Sequence, residues 1–142
     1  MSQHKLSSSG AGFRSLRLVV LAWFSLLFFR LALSVAGYNA AKRLLKDQKA
    51  TLPPASPAFA HRTAVAINQA AQFIPHATCL VRSMAAKFLL DRKSYGSSIC
   101  VGVAKETGAP LQAHAWLKSG DLIIIGNEER QLSRYAPLAR MR

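Results

Sequence analysis

The hydrophobic pattern of the chain changes its period near Gly96, from helical spacing before it to strand-like alternation after it. Over His61–Phe73 apolar side chains recur every three or four residues, which predicts an amphipathic helix that Pro75 closes. A second helix is predicted over Cys79–Asp91, with Thr78 as its N-cap. Its apolar side is sufficiently explained as core packing.

Alternating side chains after Gly96 predict three strands, Ser98–Ala104, Leu111–Lys118 and Leu122–Asn127. Gly120-Asp121 suits a two-residue hairpin turn between the last two strands. Helices followed by an antiparallel sheet predict an α+β domain over residues 58–142. Thr51–Pro57 is Pro-rich and is interpreted as a linker before it.

The two ends of the chain differ in character. Residues 1–12 are polar and rich in Ser and Gly, and we expect them to be disordered. The stretch from Glu128 is basic, and three residues in it have the spacing of a short docking helix, namely Leu132, Tyr135 and Leu138.

Residues 13–50 form an apolar and basic segment that is helical from Phe13 to about Lys46, with a bend predicted at Gly37. Its uninterrupted apolar part, Leu18–Phe29, is shorter than the roughly 20 residues that cross a bilayer. A span that included Arg30 would bury a charge at a cost of about 2 to 3 kcal/mol. The pattern therefore favours a helix that packs on the domain or a partner over a membrane span, and its basic flanks suit peripheral membrane contact through residues 13–46.

Composition narrows the class of partner. The chain has 142 residues, 51% of them apolar, and a formal net charge of +13. Such a charge attracts a membrane face, a nucleic acid or an acidic polypeptide. Because the basic residues are spread without aromatic interleaving or a nucleic-acid motif, we expect no nucleic-acid partner.

The two cysteines lie in different contexts. Cys100 is within an apolar run, Ile99-Cys100-Val101, and is interpreted as a buried small hydrophobic residue. The N-terminal apolar stretch has no clear cleavage site for a signal peptide. Two unpaired thiols without an export signal indicate a cytoplasmic protein, with membrane association through the N-terminal segment left open.

Cys79 and His114 carry the candidate chemistry. A thiol in the first turn of a helix faces the positive end of the macrodipole, which favours the thiolate. His114 lies on the second predicted strand, within Ala113-His114-Ala115-Trp116-Leu117, and can act as a separate general base. Trp116 shares its strand face and is expected to shield the site and contact substrate, or to act as a hydrophobic anchor. The Cys79 N–H is a candidate oxyanion donor.

Counting outward from the Gly120-Asp121 turn places His114 opposite Asn127. Asn127 is therefore the candidate third residue, holding the imidazole in one tautomer. Asp121 lies seven residues from His114 along the hairpin, about 20 Å away and too far for that role. A one-residue slip in the turn would change this assignment. The alternatives are Glu128, Glu129 or no third residue.

Four residues also suggest a rival zinc site: His76, Cys79, Cys100 and His114. Only His76 and Cys79 have a ligand-like spacing, so the zinc signature is weak. We expect neither a metal nor a cofactor.

The segment Arg62–Gly126 resembles the free-standing cysteine peptidase of lasso-peptide biosynthesis, the transglutaminase-like B-protein family. The similarity rests on Cys79-Leu80-Val81-Arg82-Ser83 after Pro75, on Ile99–Val103, and on Ala113-His114-Ala115-Trp116-Leu117. It implies a transglutaminase- or papain-like core with Cys79 as nucleophile and His114 as base. The family often has an acidic third residue where this chain has Gly126-Asn127.

The resemblance also implies a biological role. Such a peptidase removes the leader from a ribosomally made precursor peptide. A separate small protein recognises the leader, and an ATP-dependent partner cyclase then closes the macrolactam. Two rival functions remain open: an amide-forming acyl transferase on the same fold, and a non-enzymatic adaptor linked to a membrane through the N-terminal helix.

Overall fold

A computed structural model of the protein describes residues 8–45, 51–127 and 132–141. Helices packed against an antiparallel sheet give the predicted α+β fold, which is confirmed. In chain order the elements are α1 (Ser8–Val35), α2 (Gly37–Arg43), α3 (Pro57–Ala71), α4 (Cys79–Asp91), β1 (Ser98–Ala104), β2 (Gln112–Ser119), β3 (Leu122–Ile125), a 3-10 turn (Leu132–Arg134) and β4 (Ala136–Met141).

The N-terminal helix packs along the helical layer. It begins at Ser8, five residues before the predicted start, and residues 1–7 lie outside the described part of the chain. Ala22, Leu26 and Phe29 are buried at helical spacing in a core shared with α3 and α4. The predicted packing of this helix on the domain is confirmed for that face. Gly37, at φ +77°, makes the predicted bend before α2.

Local signals in the sequence set the starts of α3 and α4. The Ser56 hydroxyl accepts a hydrogen bond from the Phe59 N–H, and Pro57 occupies the first helical position. These signals start α3 four residues earlier than the predicted His61. The α4 boundaries are as predicted, because the Thr78 hydroxyl accepts from the Val81 N–H.

The sheet has the strand order β3-β2-β1-β4, with antiparallel neighbours throughout. The predicted docking helix near the C-terminus is wrong, since Ala136–Met141 is a strand that pairs with β1. A strand edge offers unpaired backbone groups, and pairing them outweighs the helical spacing of Leu132, Tyr135 and Leu138.

The stretch that the sequence suggests as a linker is fastened to the sheet. The Gly96 N–H donates to the Pro53 carbonyl at 2.8 Å, and the Ala55 N–H donates to the Ser119 hydroxyl at 2.7 Å. Ala55 is buried. Residues 51–56 therefore connect α2 to α3 as part of the folded body.

Candidate functional site

Cys79 is the first residue of α4 and is half-buried against the core. Its thiol is free, and Thr78 caps the helix directly before it. Backbone N–H groups in a first helical turn have no partner within the helix. The thiol thus stands where the helix dipole favours negative charge and where backbone donors are available for an oxyanion.

Two arginines hold the loop that leads into Cys79. Arg30 of α1 donates through Nε to the Pro75 carbonyl at 3.3 Å, and Arg82 of α4 donates through Nε to the Ala77 carbonyl at 3.1 Å. Between them His76 adopts a left-handed backbone conformation, with φ +58°. Neither arginine contact was predicted from the sequence. Arg82 stands in the Cys-Leu-Val-Arg-Ser segment, which was a signal, whereas Arg30 gave none beyond interrupting an apolar helix.

The His114 ring is held by a backbone carbonyl. Its Nε2 lies 2.7 Å from the Gly126 oxygen. Because a carbonyl oxygen only accepts hydrogen bonds, Nε2 must carry a hydrogen. In the neutral ring the basic atom is therefore Nδ1, which is the atom that a general base would use.

Two aromatic rings flank His114. The imidazole stacks on Trp116 with ring centroids 6.1 Å apart and on Tyr135 with centroids 5.1 Å apart. Gly102, directly opposite His114 on β1, makes room for these rings. A Cβ at Gly102 would lie 2.9 Å from the Tyr135 Cβ and 3.0 Å from the edge of Trp116. Trp116 adjoins the imidazole as predicted, and Tyr135 is a neighbour that the sequence did not reveal.

The predicted pairing of His114 with Asn127 is wrong. Ser119 and Leu122 flank the hairpin turn as expected, but the β2–β3 register shifts one step further on. Leu117 pairs with Ile125 and Lys118 with Ile123, so β3 carries an additional residue, and the strand ends at Ile125. Asn127 is exposed, and the acceptor for the imidazole is the Gly126 carbonyl. The two alternatives, Glu128 and Glu129, lie outside the described residues.

The strand that carries His114 packs against the helix that carries Cys79. Alternate residues of β2, Ala115 and Leu117, enter the core that α4 shares. His114 and Trp116 therefore point to the other face of the sheet, together with Tyr135. Within the described ranges no hydrogen bond joins the Cys79 sulfur to the His114 ring, and their pairing stays a prediction.

The rival zinc ligands are not gathered. Within residues 8–45, 51–127 and 132–141 no three His, Cys, Asp or Glu side chains are grouped as metal ligands would be. Cys100 lies on β1 opposite Trp116 and is half-buried, rather than buried as the sequence suggested.

Comparison with protein families matches residues 23–140, more than four fifths of the chain, to the transglutaminase-like superfamily. The match begins inside α1 and ends in β4, so both terminal elements contribute to the matched domain. Neither the curated proteins nor the solved structures include a significant match.

Proposed function

We propose that this chain, which belongs to the transglutaminase-like superfamily, is a cysteine peptidase that removes the leader from a lasso-peptide precursor. The superfamily includes both cysteine peptidases and acyltransferases. The observation that carries the proposal is the position of Cys79, a free thiol at the capped N-terminus of α4 within the matched region. The motif resemblance supports the finer assignment to leader removal before macrolactam closure.

The proposed reaction proceeds through a thioester. His114 Nδ1 takes the Cys79 proton, and the thiolate attacks the carbonyl carbon of the scissile amide. Backbone N–H groups at the start of α4 stabilise the oxyanion. The C–N bond then breaks, the departing amine takes the proton from His114, and the acyl group stays on sulfur. Water, losing a proton to His114, hydrolyses the thioester to a carboxylate and restores the thiol.

His114 points to the sheet face away from the core that β2 shares with α4, so this mechanism requires the imidazole to turn toward the start of α4 in the substrate complex, bringing Nδ1 within hydrogen-bonding distance of the Cys79 sulfur. Catalytic hydrogen bonds are often long or unformed before substrate binds. The contact of Nε2 with Gly126 supports the proposal, because it fixes the tautomer that leaves Nδ1 basic. The Gly126 carbonyl then takes the orienting role that the sequence suggested for Asn127.

The proposed partners follow from the same role. They are the precursor peptide as substrate, a separate protein that recognises the leader, and the cyclase that receives the trimmed core peptide. The proposed location is the cytoplasm, where the thiols stay reduced.

The decisive experiment incubates the full chain with a lasso precursor and a leader-recognition protein, and weighs the products. We expect a free leader and a core peptide with a new N-terminal amine. Cys79→Ala should abolish cleavage, whereas its matched control Cys100→Ala should retain it. Products joined to an added amine would support acyl transfer instead, and cleavage that survives Cys79→Ala would refute a thiol mechanism.

A second pair of variants tests the base. His114→Asn should lower kcat by at least about 100-fold, the lower range for general acid–base catalysis. His76→Asn is the control, because Asn tolerates the left-handed backbone at this position and His76 lies three residues from Cys79. If His76→Asn lost activity and His114→Asn did not, the assignment of His114 would be overturned.

A further inference from the structure

One face of α1 presents an apolar surface to solvent. Seven large apolar residues recur every three or four positions over the length of the helix, and each is between 45% and 86% exposed. They form the outer stripe: Phe13, Leu16, Val20, Phe24, Phe28, Leu31 and Val35. It lies on the helix face opposite Ala22, Leu26 and Phe29, which are buried. An apolar surface of this length needs a covering.

The segment Gly12–Val35 has the length and mean hydropathy, 2.2, of a membrane span, features that soluble core helices and signal sequences share. Packing argues against a transverse orientation. A span would remove Ala22, Leu26 and Phe29 from the core that they share with α3 and α4. Arg30, the charge nearest the middle of the apolar run, is turned toward the domain, where it donates to the Pro75 carbonyl, and it also bonds to Ser34 one turn further along α1. The stripe itself contains no charge.

A basic groove lies beside the N-terminal half of the stripe. It has a volume of about 560 Å³ and is lined by five cations from α1, α3 and the end of α4, namely Arg14, Arg17, Arg62, Arg92 and Lys93. In the described part of the chain none of the five pairs with a carboxylate. The sequence has no acidic residue before Asp47. The groove therefore suits an anionic ligand.

We infer that α1 lies in the plane of an anionic phospholipid membrane, with the outer stripe at the boundary between headgroups and acyl chains and lipid phosphates in the basic groove. Helices of this kind bury an apolar face about 5 to 10 Å into the interface and add electrostatic attraction to anionic lipids. Groove cations flanking the stripe then stand at headgroup level. An acidic peptide would fill the groove but leave the stripe exposed. A second copy would cover the stripe but bring together two chains of charge +13.

Vesicle binding by the full chain tests this inference. We expect cosedimentation with vesicles of phosphatidylglycerol and phosphatidylcholine, and at least tenfold weaker binding to phosphatidylcholine alone. Leu31→Glu should weaken binding to the anionic vesicles at least tenfold. Leu111→Glu is the matched control, because Leu111 is similarly exposed but precedes β2, away from α1, and it should bind as the parent does. Circular dichroism confirms that each variant is folded.

Arg14→Glu with Arg17→Glu tests the groove, and this pair should also lose at least tenfold in binding to anionic vesicles. Failure of the folded parent to bind, or full binding by Leu31→Glu, would overturn the inference. A dimer in size-exclusion light scattering that Leu31→Glu dissociates would assign the stripe to a second copy instead. Release from cell membranes by alkali would support in-plane attachment, whereas release by detergent alone would indicate a span.

Tryptophan fluorescence locates the contact. Trp23 is at the border of the stripe and half-buried, and the only other tryptophan, Trp116, is on β2. Vesicles with brominated acyl chains should quench Trp23, and Trp23→Phe should abolish the quenching. Quenching that persists in Trp23→Phe would place the membrane contact on the sheet and overturn the orientation.

Discussion

The two candidate reactive groups are held in contrasting ways. Cys79 stands at a helix terminus whose position depends on hydrogen bonds. Thr78 caps the helix, and two arginines, Arg30 and Arg82, donate to backbone carbonyls of the preceding loop. His114 lies in the middle of a strand, fixed by a carbonyl and by aromatic rings that close over a glycine. The contacts that position Cys79 and the contacts that position His114 share no residue, so each group is oriented independently of the other.

Because of this contrast, variants near Cys79 and variants near His114 should disrupt the structure in different ways. The surroundings of Cys79, the candidate nucleophile, form the nucleophile side and depend on the packing of α4. A variant that disrupts this packing should unfold the helix that carries the thiol. The surroundings of His114, the candidate base, form the base side and depend on the close approach of glycine backbone to the rings of Trp116 and Tyr135. A variant that disrupts this approach should displace the imidazole while the helices stay packed.

Asp91→Ala should cause the largest loss, because it leaves a buried charge without its partner. Lys87 is fully buried, and its ammonium lies 3.2 Å from an Asp91 oxygen. Breaking such a pair costs about 3 to 5 kcal/mol in free energy of unfolding. Urea denaturation measures it. Asp121→Ala, at the exposed hairpin turn, is the control and should change stability by less than about 0.5 kcal/mol.

A double variant, Lys87→Met with Asp91→Leu, separates charge from packing. Removing both charges should recover much of the stability lost in Asp91→Ala, since apolar replacements of buried ion pairs are often neutral. If Asp91→Ala unfolded no more easily than the parent, the ion pair would not be what supports the nucleophile helix.

Gly126→Ala should give the next largest loss and act on the base side. Gly126 has φ +95°, and a Cβ would lie 2.7 Å from both the Ala115 oxygen and the Trp116 Cβ. Backbone strain and overpacking together predict a loss of about 2 to 4 kcal/mol. Gly108→Ala is the matched control, with φ +83° but open space around it, and it should lose only the strain contribution. Equal losses of stability in Gly126→Ala and Gly108→Ala would show that the close approach of Gly126 to Ala115 and Trp116 does not contribute.

Helix starts and the hairpin turn could be predicted because they depend on neighbouring residues. Thr78 and the apolar spacing of α4 fixed that helix at both ends, and Gly120-Asp121 fixed the turn. The position of Cys79 in a first helical turn followed directly. The sequence resemblance anticipated the family at the level of its superfamily.

Features that depend on distant residues could not be predicted. The additional residue in β3 has no local signal, so counting from the turn misplaced Asn127 relative to His114. Pairing of β4 with β1 joins segments over 30 residues apart and thereby brings Tyr135 onto the imidazole. The Arg30 contact with Pro75 spans 45 residues and depends on how α1 packs.

Thr78→Ala should produce a moderate loss on the nucleophile side. Removing an N-cap costs about 1 kcal/mol and frays the first turn, where Cys79 lies. We expect slower alkylation of Cys79 by iodoacetamide, because a frayed turn favours the thiolate less. Ser56→Ala removes the corresponding cap of α3 and is the control. It should cost similar stability and leave the alkylation rate unchanged; slower alkylation there too would point to general destabilisation.

Tyr135→Leu should have the smallest effect and isolates the ring stack on the base side. Stacked aromatic pairs contribute about 0.5 to 1.5 kcal/mol beyond the area they bury, and the Tyr135 ring is the closer of the two neighbours of His114. Tyr135→Phe keeps the ring and should match the parent. The NMR signals of the His114 ring should shift in Tyr135→Leu and stay nearly unchanged in Tyr135→Phe, because only the first loses the ring current. Since this contact lies on the sheet face away from α4, alkylation of Cys79 should not change in either variant. A changed rate in Tyr135→Leu alone would show that the imidazole environment already reaches the thiol in the free protein.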